Sequence, residues 1–570
     1  MSQQLTVNVA TRLAAIAARE PDRAAVILPR MRRDRFETSQ LTFSELDLFS
    51  GQLARGFHEI GIRRGVRTAL MVRPSFDFFA LTFALLKVGA IPVMIDPGMG
   101  IGNLGKCLGE ARPEGFIGIP KAHLARRLLR WAADTIRITV TTGNRLFGGK
   151  HTRREVRRIG ERLGALSTAE TQADETAAIL FTSGSTGVAK GAVYTHGIFA
   201  AQLESLRAIY AIESGEIDLC TFPLFALFGP ALGMTSIIPE MDPTRPARVD
   251  PTKIIRAVEH FRVTNLFGSP ALIDRVGRYG SERNTKLPTL RRVVSAGAPV
   301  PAAVIERFTT MLSLDVQVFT PYGATEALPV ASIGSDVILN ETRHLTDQGK
   351  GVCVGFPVPG MDVRIIPISD DPIATFGEST TLPPGEIGEI IVSGPVVTAE
   401  YFGWPKATEL AKMRDATGRL WHRMGDVGYF DEQGRLWYCG RKSHRVVSPW
   451  GTLFTEQVEP VFNTVPGIVR TALVGANRDG VTYPIVCYEL GGFGPVANRP
   501  EPEIYRDLHE VGQRYEHTRP IEVFLEYPRD FPVDVRHNSK IFREKLARWV
   551  DTEMSWIRIP PDPRPAEAAR

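Results

Sequence analysis

The chain has 570 residues, more than one ordinary hydrophobic core accommodates, so at least two domains are expected. Apolar residues make up 43% and charged residues 23%, the balance of a soluble globular protein, and a net charge of +5 is too mild over this length for a nucleic-acid binder. Five scattered cysteines, Cys107, Cys220, Cys353, Cys439 and Cys487, form no CxxC pair; this argues against a disulfide framework or zinc site and fits a reducing cytoplasm.

Residues 1–6 are polar and lead into an amphipathic stretch that Pro21 ends, so no secretory signal is expected. Phe43–Ile60 reads as a helix, 68–72 as a short strand, Phe76–Val88 as a helix and 91–95 as a strand closed by Asp96-Pro97-Gly98. The apolar run 76–95 carries Asp77, Lys87, Gly89 and Pro92, and so predicts a buried helix and strand and not a membrane span. Helices alternating with short buried strands predict an α/β fold with a mostly parallel sheet. Between 121 and 163, Arg126, Arg127, Arg130, Arg153, Arg154, Arg157, Arg158 and Arg162 crowd a segment poor in acids. Two readings stand there: a solvated helix face, or a docking surface for an acidic partner or an anionic membrane.

Residues 178–191, AILFTSGSTGVAKG, carry the strongest local signal. An apolar strand runs into Thr182, Ser183, Gly184, Ser185, Thr186 and Gly187, and Lys190 follows. Glycines let the backbone approach an anion, consecutive N–H groups cradle phosphate oxygens, and the lysine adds positive charge for a triphosphate. The Walker A spacing is absent. A boundary is expected near residue 440. Beyond it, 469–474, 484–489 and 522–526 read as strands and 502–516 as a helix, giving a small C-terminal α+β domain with a disordered tail over 560–570.

At the phosphate loop the sequence resembles the adenylate-forming superfamily of acyl-CoA synthetases, luciferases and peptide-synthetase adenylation domains, and the motifs follow in family order. Ser295-Ala296-Gly297-Ala298-Pro299 looks like the adenine-contacting turn, and Tyr322-Gly323-Ala324-Thr325-Glu326 like YGxTE. The stretch from Gly385 reaches Gly394-Pro395 and Tyr401, His422-Arg423-Met424-Gly425-Asp426 stands for RTGD, Gly440-Arg441 marks a hinge, and Lys540 matches the C-terminal lysine. The resemblance implies an N-terminal ATP- and acyl-binding domain, 1–439, with parallel sheets, and a small mobile C-terminal lid, 440–570. It implies ATP and Mg²⁺ as cofactors. Tyr322 would face adenine, and Glu326, with Thr186, would serve Mg²⁺. Asp426 would hold the ribose, and Arg441 the ribose or a phosphate. Lys540, Thr325 and Glu326 would carry the catalytic role, with Lys540 bridging the carboxylate and the α-phosphate.

The hinge departs from the usual GRxDD. Ser443 stands at the pivot position, and Val447, Pro449 and Trp450 occupy the loop beyond it. Residues 322–335 and 340–355 resemble a narrower group, the β-lactone synthetases of bacterial long-chain olefin biosynthesis. That resemblance implies a 2-alkyl-3-hydroxyalkanoic acid substrate whose own hydroxyl closes a lactone without CoA. It also implies neighbouring olefin-biosynthesis enzymes, which could dock through Arg126–Arg162. His422 and His344 are candidates, by residue type alone, for the base that takes the hydroxyl proton. The acyl pocket is expected near residues 225–234. A fatty acyl-CoA synthetase or acyl-AMP ligase stays open as an alternative, as does a non-catalytic ATP-binding sensor.

Overall fold

The computed structural model describes residues 6–33, 35–145, 148–181, 189–222, 226–377, 380–491, 500–533 and 541–553. A seven-stranded sheet runs in the order His151–Thr152, Ile138–Thr141, Gly115–Gly118, Arg67–Met71, Ile91–Met94, Thr176–Phe181 and Gly191–Thr195. Every neighbouring pair is parallel except the last. Short apolar strands joined by helices form such a sheet because both faces must be covered. The helix Phe76–Val88 is buried along its length from Phe78 to Val88, with Ser75 capping its start by accepting from Phe78 N. Even Lys87 is inside, its Nζ 2.7 Å from Asp47 Oδ1.

The two faces of this sheet divide the arginine-rich segment. Phe116 packs with Leu104, Leu108 and Trp131 on one face. Its neighbour Ile117 packs with Phe57, Val140 and Val156 on the other. Side chains alternate across a strand, so the helix Pro120–Leu128 and the helix Arg153–Leu163 lie on opposite faces. Arg126, Arg127 and Arg130 are thereby separated from Arg153, Arg154, Arg157, Arg158 and Arg162. Several of these are engaged locally: Arg153 pairs with Asp77, and Arg157 with Glu161.

A second parallel run joins Ala24–Arg32, Thr235–Ile237, Ile217–Cys220, Asn265–Gly268, Arg292–Ser295 and Val318–Ala324. It continues antiparallel through Ala327–Gly334 and Val352–Pro357 to Leu436–Arg441, Leu420–Phe430, Gly388–Ser393 and Asp362–Ile366. Beyond Arg441 lies a small α+β unit with a three-stranded sheet, Ile468–Arg478, Val481–Leu490 and Val523–Glu526. Its own core includes Val458, Phe462, Leu473, Val486 and Phe524. The fold is mixed α/β, a large N-terminal part with a small C-terminal one.

Local differences from the sequence reading have physical causes. The strands expected at 469–474 and 484–489 extend to Arg478 and from Val481, because Asp479 and Gly480, at φ 52° and 82°, make a tight hairpin turn that carries the ladder through polar residues. The helix expected over 502–516 is Glu501–Gly512; Thr518 Oγ1 donates to the Gly512 carbonyl at 2.6 Å and takes the chain out of the helix. Pro449 and Trp450 form the two-residue turn between Val446–Ser448 and Gly451–Leu453, with the Trp450 ring 5.5 Å from Tyr483. Among the described residues no helix is long and apolar enough to cross a membrane. The tail 560–570 lies outside the described residues.

Candidate active site

One cavity of about 1540 Å³ opens at the ends of the parallel strands and reaches the start of the C-terminal unit. Its polar end is built by strand pairing. Asp426 and Arg441 are register partners on neighbouring antiparallel strands, which puts Arg441 Nη1 3.0 Å from Asp426 Oδ1. Tyr322, at the end of Val318–Ala324, donates its hydroxyl to Asp426 Oδ2 at 2.7 Å. Its ring lies 5.9 Å from Tyr438. Burial, then Asp426, pushes the Tyr322 phenol well above its ordinary range, while Asp426 first holds Arg441 firmly charged. Gly297, Ala298 and Pro299 line the same end, on the loop after Arg292–Ser295; Gly297 sits at φ +104°, a conformation that suits glycine. Gly323 has no room for a side chain, since a Cβ there would lie 2.6 Å from the Ala327 carbonyl.

Glu326 sits a turn away, at the junction of Val318–Ala324 and Ala327–Gly334. Its Oε1 accepts from the Tyr401 hydroxyl at 2.7 Å, and its carbonyl accepts from Thr398 N at 2.9 Å. The Thr325 carbonyl accepts from the Tyr194 hydroxyl at 2.6 Å, which ties this turn to the phosphate-loop hairpin. The same hairpin pairs with 400–402, where Val193 N donates to the Glu400 carbonyl and Phe402 N to the Gly191 carbonyl. That pairing carries Lys190 to the Tyr401 ring, Nζ 5.1 Å from its centroid. Lys412 Nζ lies 6.0 Å from the same ring and donates to the carbonyl and hydroxyl of Thr398. Burial pushes Lys412 down to about 7, with Glu326 opposing the shift.

The cavity continues as an apolar arm. Thr82, Phe83 and Leu86 of the buried helix, with Met94, Phe199, Leu227 and Phe228, form its walls. Of the expected acyl region, Leu227 and Phe228 border the cavity, while Leu232 and Met234 are buried in the core beside it. Sequence reasoning missed the walls from 82–94, because a helix buried all round carries no sign of which side faces a cavity. Tyr194 and Lys412 were missed likewise: each acts on a turn more than 70 residues away in sequence.

Gly297, Ala298, Pro299, Tyr322, Gly323, Thr325, Glu326, Asp426, Arg441 and Lys190 all line this one cavity. Thr182, Ser183, Gly184, Ser185, Thr186, Gly187 and Lys540 lie outside the described residues. Hinge residues close the cavity on the C-terminal side: Lys442 Nζ donates to the Ser369 carbonyl at 2.6 Å and approaches Glu389 Oε1 at 3.2 Å. Glu389 is also gripped by Arg423, both fully buried.

Residues 13–402 match the AMP-binding enzyme family. An olefin β-lactone synthetase of Stenotrophomonas maltophilia is 48% identical over 556 residues, covering 96% of this chain and 98% of that protein. Another from Xanthomonas campestris pv. campestris is 49% identical over 549 residues, covering 95% and 97%. Among solved structures, O-succinylbenzoate coenzyme A synthetase of Bacillus subtilis, in complex with ATP and magnesium ion, superposes with a TM-score of 0.71 at 20% identity, covering 94% of this chain and 98% of that one. This chain belongs to the AMP-binding, adenylate-forming family of ligases, and within it to the group that holds the olefin β-lactone synthetases.

Proposed function

We propose that the protein activates a long-chain 2-alkyl-3-hydroxyalkanoic acid as its acyl-AMP and then closes it to a β-lactone, releasing pyrophosphate and AMP. The observation that carries this reading is one continuous cavity whose polar end gathers Tyr322, Asp426, Arg441 and Glu326 and whose far end is an apolar arm. The near full-length identity to two olefin β-lactone synthetases supports the choice of substrate.

The residues present suit ATP and Mg²⁺. Asp426 is a buried carboxylate on the cavity wall, and carboxylate oxygens accept hydrogen bonds from ribose hydroxyls. Lys190 and Arg441 supply positive charge for phosphates. Glu326 is a single hard carboxylate, the protein share that Mg²⁺ takes when phosphates supply other oxygens. Bound there, Mg²⁺ would supply charge neutralisation. Thr186 and Lys540, outside the described residues, are assigned by motif to the metal and to the meeting of carboxylate and α-phosphate.

The substrate carboxylate attacks the α-phosphorus and pyrophosphate leaves. The chain positions and screens two anions, so no nucleophilic side chain is needed. The 3-hydroxyl then attacks the acyl carbonyl, the new C–O bond closes the ring, and the bond to AMP breaks. Closure gains from tethering and is driven by the mixed anhydride. A thiol acceptor is disfavoured by the hinge: Lys442 is held by Ser369 and Glu389, and the stretch beyond it is a tight hairpin around Pro449 and Trp450. We take 440–570 as the lid on 1–439. Docking of neighbouring enzymes through Arg126–Arg162 would involve two separate faces.

The test is a product assay with MgATP and a long-chain 2-alkyl-3-hydroxy acid, with and without CoA. We expect a β-lactone and AMP in both. An acyl-CoA formed only with CoA would replace this reading with the ligase alternative.

A further inference from the structure

Ring closure releases a proton, and the residues assigned to adenylation are already engaged with neighbouring side chains. Glu326 is engaged by Tyr401, and Asp426 by Tyr322 and Arg441. Lys412 is spent on Thr398. Among the histidines, His344 lies on Arg343–Asp347 and is not part of the cavity wall. His444 borders the cavity, but its Nε2 is sealed in protein without a partner, and both nitrogens of His196 are sealed likewise.

His422 differs. It lies on Leu420–Phe430, four residues before Asp426, and strand alternation sends its neighbour Arg423 to Glu389 on the other face. Its ring is nearly enclosed, at 2% exposure, and borders the cavity. Nδ1 is 3.1 Å from the Ala411 carbonyl, which can only accept, so Nδ1 carries the hydrogen. Nε2 is then the lone-pair nitrogen. The ring that carries it is part of the cavity wall. Burial first, then Lys412, Arg441 and Lys190, keeps the ring neutral.

We propose that His422 Nε2 is the base that accepts the 3-hydroxyl proton as the lactone closes. This rests on the proposed β-lactone function and adds the residue that performs its second half. The O–H bond breaks toward Nε2, the hydroxyl oxygen forms the ring C–O bond, and AMP leaves with the electron pair of the acyl C–O bond. The proton passes from the imidazolium to AMP phosphate or water as the site opens. Of the cations that oppose protonation in the free protein, Arg441 and Lys190 are the ones assigned to phosphates, so their share of the opposition falls when the adenylate is in place. The fixed Nδ1–H bond orients the ring for the transfer.

The experiment is rapid-quench single turnover of wild type, His422→Asn and His422→Gln with MgATP and the 3-hydroxy acid. A matched 2-alkyl acid lacking the hydroxyl runs in parallel. Pyrophosphate, acyl-AMP and lactone are each quantified. We expect the pyrophosphate burst to be retained with both acids, showing that the variants are folded. Lactone formation should fall about 100-fold, the lower range of a lost general base, with acyl-AMP accumulating. Lactone closure at the wild-type rate in either variant would overturn the assignment. So would a parallel loss of burst and closure in both variants, which would mark His422 as a support of the whole site. A wild-type enzyme that stalls at acyl-AMP would instead remove the proposed function, and this assignment with it.

Discussion

Lys412 is the side chain whose state is least expected from its local sequence. Lys412-Met413-Arg414-Asp415 reads as a polar edge, yet Lys412 is only 8% exposed and sits behind the Tyr401 ring. Its folded value of about 7 lies below the roughly 10.4 of an unfolded lysine. Between those values the unfolded chain binds more protons, so this residue makes stability rise with pH. Below about 7 both states are charged, and the contribution has no slope. We expect the stability of wild type relative to Lys412→Met to increase by about 1–2 kcal/mol from pH 7 to 9. Unfolding midpoints at the two pH values check this, and a constant difference would show that Lys412 stays charged in the fold. Tyr322, Glu326 and Asp426 were legible because each stands in a short contiguous motif. Lys412 was not, because its environment comes from Thr398 and Glu326.

Between elements, contact distance decides the sign of a substitution. The helices Phe43–Ile60 and Arg153–Leu163 cross at two glycines. A Cβ on Gly160 would lie 1.9 Å from the Gln52 carbonyl, and one on Gly56 2.0 Å from the Val156 carbonyl. In a solvated helix, alanine for glycine gains about 1 kcal/mol. Here backbone must move, and we expect Gly160→Ala to lose about 1–3 kcal/mol in thermal or urea unfolding. Gly109→Ala, in Ile101–Ala111 with open space around its Cβ, serves as the control and should be neutral or stabilising. Equal effects at both sites would show that the crossing yields without strain. Phe43–Ile60 itself was legible to the residue because its apolar period is strong; Thr42 and Glu45 close its start with a reciprocal cap. The crossing partner was legible only as a basic stretch, since its buried side is little more than Val156 and Gly160.

Across the molecule, the acyl arm joins pieces that no local pattern connects. Leu86, on a helix buried against one sheet, faces the same space as Phe228 from the other half of the N-terminal part. We expect Leu86→Trp to fill the arm and lower kcat/KM for long acids about tenfold relative to short ones, measured by competition between two chain lengths. An unchanged ratio would place the alkyl chain elsewhere. The adenylating chemistry was readable from the amino-acid order alone, because the 182–187 motif, the Glu326 turn and the Asp426 strand are each contiguous in the chain, and so were the mixed α/β class and its small C-terminal part. Folding in three dimensions set the rest. The opposite faces of the arginine-rich segment, the buried amine of Lys412, the place of His422 in the cavity wall and the shape of the acyl arm all depend on which distant segments pack together, and that follows from sheet order and packing, which residue spacing does not encode.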